Sequence, residues 1–340
     1  MIFGEVPVEE AVGALAAHSL RAEGLVLRKG NVITAEAVER LRAAGIRTVV
    51  TARLEAEDVG EDEAAGRLAQ AVAADGVRVE RPFTGRSNLF AREAGILVVD
   101  AAVINAVNAV DEAVTLATLP AFKPVVAGEM VGTVKIIPYG VAGAVLDRAL
   151  ARVSGGGAVR VAPYCVSRVG VVSTLTPALK PTVVAKTLAA LGDRLAPAGA
   201  AVVAAVSCPH DEEALRAELA RLAAGEAELV VVFGASAIAD RRDVIPAAIE
   251  AAGGEVEHFG MPVDPGNLLL VGRIGTKPVI GAPGCARSPK ENGFDWVLQR
   301  LLAGLAVRRA DITALGVGGL LMEIVSRPQP REGGEPDSEP

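Results

Sequence analysis

The chain has 340 residues, enough for two domains with sizeable cores, and is 51% hydrophobic but only 3% aromatic, with a net charge of −7. An acidic chain with few rings to stack on bases is not built to bind nucleic acid. Three scattered cysteines (Cys165, Cys208, Cys285) and three histidines offer no disulfide framework, zinc knuckle or histidine metal site, while the acidic start MIFGEVPVEEAV and interrupted apolar runs predict no export segment, no membrane span and a cytoplasmic protein.

From the amino terminus, Val8–Arg21 reads as helix. Lys29-Gly30 marks a turn, and Thr34 is placed to cap a helix that has Glu36 in its first turn. Val38, Leu41 and Ile46 then lead into a strand at Thr48–Ala52. A charged stretch, Glu55–Glu63, precedes an alanine helix reaching Ala73. In TGRSNLFAREAGILVVD the chain has loop character up to Asn88 and strand character at Ile96–Val99. Asn105 and Asn108 fall in a helical pattern that continues to Leu116. Lys135 interrupts the apolar segment VGTVKIIPYGV; such a lysine either snorkels to the surface or serves as an anion ligand.

Ser154-Gly155-Gly156-Gly157 marks a boundary. A glycine run can cradle phosphate, but this one lacks the lysine and Ser/Thr of a P-loop and reads as a linker. From Ala158 strands alternate with helices: RVGVVST, a helix at Thr182–Leu195, AAVVAAVSC, and an amphipathic helix with Leu215, Leu219 and Leu222 on one face. The β-branched strand at Val230–Val232 follows, then a helix opened by Pro246. Glu255–Phe259 is short, LLLVGRIGTKPVIGAPG forms a hairpin, and a last helix spans about Gly293–Ala306. The expected fold is α/β: a three-layer, mostly parallel sheet at 158–325, preceded by an α+β region at 1–153 and followed by a disordered tail at 326–340.

In such a sheet ligands gather at the carboxyl ends of the strands. Four of these ends carry polar or small residues: Ser173-Thr174, Ser207–Asp211, Gly234–Asp243 and Gly281–Ser288. Asp243 could bind Mg²⁺ or cap the following helix. Arg241 and Arg242 could neutralise a phosphate, one of them pairing with Asp240. His210 could serve as a general base or be incidental, and Cys285 could be a thiolate or fill a tight space. No Ser–His–Asp arrangement is readable from spacing.

RRDVIPAAI, following Gly234, resembles the glycine-rich turn and Arg-Asp-Val-Thr-Pro motif of the molybdopterin-binding domain family, which includes molybdopterin adenylyltransferase and the molybdenum insertase. GAPGCARSPKENGFDWVLQRLLAG is similar to that family's Gly-Leu-Pro-Gly-x-Pro-like loop and last helix. RVGVVST and VSCPHDEEALRAEL stand where the family has its first strand and its acidic second loop, so the likeness runs from about Arg168 to Ala306. More weakly, LVLRKGNVITAEAVERLRAAGI resembles a segment of the insertase's amino-terminal portion. TGRSNLFA, EAVTLATLPAF and VGTVKIIPYGV look like the region found ahead of nucleotidyltransferase domains in bacterial fusions.

The resemblance implies a protein of molybdenum cofactor biosynthesis that binds molybdopterin. Asp243 would position Mg²⁺ and, with Asp211, support metal-assisted chemistry. Ser173, Thr174, Gly234, Ala235, Ser236, Asp240, Arg242, Pro283, Gly284, Cys285 and Ser288 would line the ligand. An enzyme of this kind would use ATP for adenylyl transfer, or insert molybdate. A carrier would hold the pterin for a partner such as a molybdopterin cytidylyltransferase or a molybdoenzyme-maturation protein. A third class is a nucleotide-hydrolysing or regulatory protein that reuses the domain. The likeness also implies a homo-oligomer, a dimer or trimer. Three departures favour binding over catalysis: Phe233-Gly234-Ala235 replaces Thr-Gly-Gly, His210 replaces the first aspartate of the second loop, and Ala237 or Ile238 replaces a glycine.

Overall fold

A computed structural model describes residues 1–321 apart from 23, 154 and 178, so Ser154 and the expected tail at 326–340 lie outside the described residues. The chain forms two compact units, Met1–Ala162 and a second beginning at Pro163.

The first unit is α+β and mostly antiparallel. Thr34 caps the helix Ala35–Ala43, its side chain accepting from the Ala37 N–H as its position predicts. The expected helix at Val8–Arg21 is reduced to a single 3-10 turn, Val8–Glu10. Gly13 adopts φ +80°, and the chain instead pairs Ala14 with Ile33, Ala16 with Asn31, and Leu15–Ala16 with Thr51–Ala52. Long-range ladder bonds override the local helix preference of alanine. The alanine helix starts earlier than expected, at Glu61, with Glu61, Asp62 and Glu63 in its first turn, where acids favour the helix dipole.

Loop character does not last to Asn88. The strand Arg86–Ala91 begins directly after a turn at Thr84 and Gly85, and pairs with Met130–Ile136. Nor does the next helix reach Leu116. It ends at Asn108, whose side chain accepts from the Leu116 N–H and donates to its carbonyl at the edge of the strand Val114–Thr118. Lys135 neither snorkels freely nor stands open to an anion. Its Nζ donates to the Thr84 carbonyl and lies 3.5 Å from Glu61, whose carboxyl burial pushes above its ordinary range despite that lysine. Gly155, Gly156 and Gly157 all have positive φ, and a Cβ on Gly157 would meet Ala74 and the backbone of Val72 and Ala73. The strand that follows, Val159–Pro163, pairs with Gly95–Val99 in the same unit.

The second unit is the α/β layer structure. Its six-stranded sheet runs, edge to edge, Ala201–Pro209, Arg168–Leu175, Leu229–Phe233, Lys277–Ala282, Leu270–Ile274 and Glu255–Phe259. The first four strands are parallel, and Leu270–Ile274 runs antiparallel as one arm of the hairpin turning at Gly275. Alternation along the central strand explains its unbroken apolar run. Leu229, Val231 and Phe233 join the core beneath the helices Pro181–Leu195 and Gly293–Leu302. Val230 and Val232 join the opposite core, beneath Glu212–Ala224 and Val244–Ala251. Leu215, Leu219 and Leu222 are the buried stripe of Glu212–Ala224.

Two helix ends differ from expectation. The helix carrying Pro246 starts two residues earlier, at Val244, because the Asp243 carboxylate accepts from the Val244 N–H and nucleates the turn. Pro246 still lies in the first turn, where no N–H partner is needed. The last helix stops at Leu302 rather than near Ala306, since Gly304 turns the chain with φ +67°.

Candidate functional site

Strand register brings the sequence-predicted residues to one edge of the sheet. Ser173 stands opposite Ser207 on one side and Phe233 on the other, Leu175 opposite Pro209, and Phe233 opposite Ala282. The loops at His210–Asp211, Gly234–Asp243 and Pro283–Ser288 therefore leave neighbouring strands at the same level.

Thr174 fastens three of these ends together. It is fully buried, and its hydroxyl accepts from the Ala235 N–H at 2.8 Å and lies 2.8 Å from Nδ1 of His210. Its oxygen, with two lone pairs and one proton, serves the Ala235 N–H and still pairs with Nδ1 of His210 as donor or acceptor according to the histidine tautomer. Ser173 is also buried, at 1% exposure. Both residues thus lie beneath the loops, and Thr174 supports them.

The turn after the central strand is compact. A Cβ on Gly234 would approach the Ser236 carbonyl to 2.6 Å, so only glycine fits. Ser236 is exposed, and Asp240 accepts from the backbone and Nε of Arg242, which holds its carboxyl below the ordinary range. Arg242 is 91% exposed and satisfied by that pairing, while Arg241 reaches back to the Val256 carbonyl at 3.4 Å. Asp243 uses both oxygens on the backbone, accepting from Val244 at 2.8 Å and from Ala239 at 3.1 Å. Asp211 accepts from the Ala214 N–H at 3.0 Å and caps its helix. Both aspartates therefore have capping roles. Among the described residues no group of three or more His, Cys, Asp or Glu could hold a metal. A Mg²⁺ ion near Asp243 would depend on water and ligand phosphate for most of its shell.

The second loop is held by two arginines that sequence reasoning missed. Arg194, 9% exposed on the helix Pro181–Leu195, ion-pairs with Asp295 and donates to the carbonyls of Ala286, Ser288 and Lys290. A signal was present: Thr187, Ala190, Leu191 and Arg194 share one helical stripe, and a charge within an apolar stripe calls for a buried partner. Arg287, half-buried, donates to the Gly234 carbonyl and to Thr187 Oγ1, both at 2.9 Å, and lies over the Phe233 ring. Burial pulls its guanidinium below its ordinary value.

Pro283 is buried, Gly284 is exposed with open space around it, and Ser288 accepts from the Lys290 N–H at 3.3 Å. Cys285 is half-buried against Asn292; burial, with Asp264 and Asp295 adding to it, pushes its thiol up and disfavours the reactive thiolate.

Residues 170–304 match the family described as "Probable molybdopterin binding domain", a span that includes all four strand ends. Residues 5–53 match a "Domain of unknown function (DUF8806)". No curated protein matches the chain. Among solved structures, a molybdopterin biosynthesis MoeA protein from Pyrococcus horikosii is 17% identical, covering 89% of this chain and 75% of that one, with a TM-score of 0.32. A molybdenum cofactor biosynthesis protein B is 17% identical over 41% of this chain and 95% of that one, with a TM-score of 0.30. A molybdopterin biosynthesis protein from Mycobacterium abscessus is 15% identical over 41% of this chain and 92% of that one, with a TM-score of 0.27. No helix among the described residues is long and apolar enough to cross a membrane.

Proposed function

We propose that the second unit binds molybdopterin and that the chain acts in molybdenum cofactor biosynthesis as a cytoplasmic pterin-binding protein, with the pterin phosphate held at the carboxyl ends of the four parallel strands. The observation that carries this reading is the coincidence of two things. The span matched by the molybdopterin-binding family contains all four strand ends, and those ends are tied to one another by Thr174 and Arg287. Pre-organised loops of this kind hold a ligand without paying to order themselves.

In this reading Gly234, Ala235 and Ser236 let the backbone approach the ligand, and Pro283, Gly284, Cys285 and Ser288 close the other side. Asp240 and Arg242, already paired and exposed, contribute at the rim. A carrier is favoured over an enzyme because Asp243 and Asp211 spend carboxylate oxygens on helix caps. Delivery to a nucleotidyltransferase or a molybdoenzyme-maturation partner, and assembly into dimers or trimers, belong to the same proposal.

The test is direct. Protein expressed with the pathway intact should co-purify a pterin that becomes fluorescent after acidic iodine oxidation; its complete absence beside a positive control rejects the reading. Adding molybdopterin with Mg-ATP separates the versions. Pyrophosphate release abolished by Asp243→Asn would make the chain an adenylyltransferase, whereas tight binding without turnover makes it a carrier.

A further inference from the structure

Two arginines hold the same loop in different electrostatic settings. Arg194 has a carboxylate partner in Asp295. Arg287 has none: among the described residues no carboxylate oxygen lies within 4.0 Å of its guanidinium, although the side chain is half-buried. A partly desolvated cation without a counter-ion is costly unless something supplies the opposite charge. Its internal contacts are both neutral, one carbonyl and one hydroxyl, and they take two of the five guanidinium donors. Three donors remain, one each on Nε, Nη1 and Nη2, and charged N–H groups of this kind bind phosphate oxygens strongly.

Position adds to this. Arg287 bridges the loop following Lys277–Ala282 to the turn following Leu229–Phe233, and its group is held over Phe233 at 5.4 Å. It is therefore fixed between two of the strand ends where a ligand would sit.

We infer that Arg287 is the anion receptor of this site and selects ligands bearing a phosphate monoester over their dephosphorylated forms. The inference deepens the binding reading above and rests on it for the identity of the whole ligand, though not for the anion. A dianionic phosphate supplies the missing counter-charge and accepts from the free donors. Because the same guanidinium holds the Gly234 turn and Thr187 on the helix Pro181–Leu195, seating the phosphate also braces that turn against the helix.

Trp296, the single tryptophan, lies on the helix that follows this loop and donates to Glu291 at 3.0 Å, so its emission reports on the loop. The probe is inorganic phosphate titrated into the full chain, with chloride at matched ionic strength and acetate as controls. The expected result is a saturable change in Trp296 emission with phosphate, accompanied by a rise in melting temperature, and a weaker response to acetate. Arg287→Gln should weaken phosphate roughly ten- to a hundredfold, as loss of charged hydrogen bonds does, and Arg287→Lys severalfold, since it keeps the charge but loses the guanidinium's spread of donors. No phosphate response beyond chloride in the unmodified protein overturns the inference. So does unchanged affinity in either folded variant; if Arg287→Gln does not fold, Arg287→Lys decides alone. Phosphate binding through Arg287 without co-purified pterin leaves the receptor standing and rejects the pterin reading. Co-purified pterin with no phosphate response does the reverse.

Discussion

The buried hydroxyl of Thr174 lies 2.8 Å from Nδ1 of His210, and it does so while accepting the Ala235 N–H. One side chain of three heavy atoms beyond Cα thus couples the ends of three parallel strands. Thr174→Val keeps the shape but strands the Ala235 donor, and should cost about 1–3 kcal/mol. Thermal unfolding would measure the loss. The ring-nitrogen NMR signals of His210 should shift in the variant, which removes the partner of Nδ1, and return in Thr174→Ser along with the lost stability.

Asp243 spans its turn with two backbone bonds. Asp243→Ala should destabilise by about 1 kcal/mol, the usual worth of a helix cap, and Asp243→Asn by less, because asparagine caps nearly as well. Equal losses in chemical denaturation would mean that the contact with Ala239, which the asparagine amide nitrogen cannot accept, carries the whole effect.

Arg194 makes a buried ion pair with Asp295. Arg194→Met leaves Asp295 without its cation and removes the arginine donor from the carbonyls of Ala286, Ser288 and Lys290, the last of which keeps its bond from Asn292. Breaking such a pair costs about 3–5 kcal/mol. Limited trypsin digestion should then cut after the exposed Lys290 well before the parent protein is cut there. Arg194→Lys should not rescue, since one ammonium cannot reach the same fan of acceptors.

The three thiols should separate by reactivity. Cys165 is exposed, whereas burial pushes the thiols of Cys208 and Cys285 up. Alkylation followed by mass spectrometry at mildly alkaline pH should modify Cys165 first. The sign of the stability effect follows from linkage: the unfolded thiols ionise at lower pH than the folded ones, so above about pH 8.5 the native state binds more protons and stability falls as pH rises. Cys208→Ala together with Cys285→Ala should flatten that part of the pH–stability curve.

Much of the second unit was legible in the sequence because its signals are local. The unbroken Val230–Val232 run announced a strand buried on both faces, and the Leu215, Leu219 and Leu222 stripe announced a covering helix. Thr34 also capped where its position predicted. The first unit was harder to read, since its pairings are long-range and antiparallel. Alanine-rich Val8–Arg21 carries a helical preference, but the strand partners at Asn31–Ile33 and Thr51–Ala52 lie elsewhere in the chain.

For the candidate site, the sequence by itself named the loops: spacing of strands and helices placed Ser173-Thr174, Asp211, Gly234–Asp243 and Pro283–Ser288 at strand ends, and register confirmed that they share an edge. Only the tertiary structure decided what each residue does there. Residue type does not say which way a side chain turns or what lies across from it. Burial makes Thr174 a fastener of three strand ends, and the nearest backbone donors make Asp243 and Asp211 caps. Arg194 and Arg287 share one helix-and-loop neighbourhood, yet only one meets a carboxylate. That difference is set by packing across about a hundred residues of sequence separation, as between Arg287 and Thr187, where no local pattern reaches.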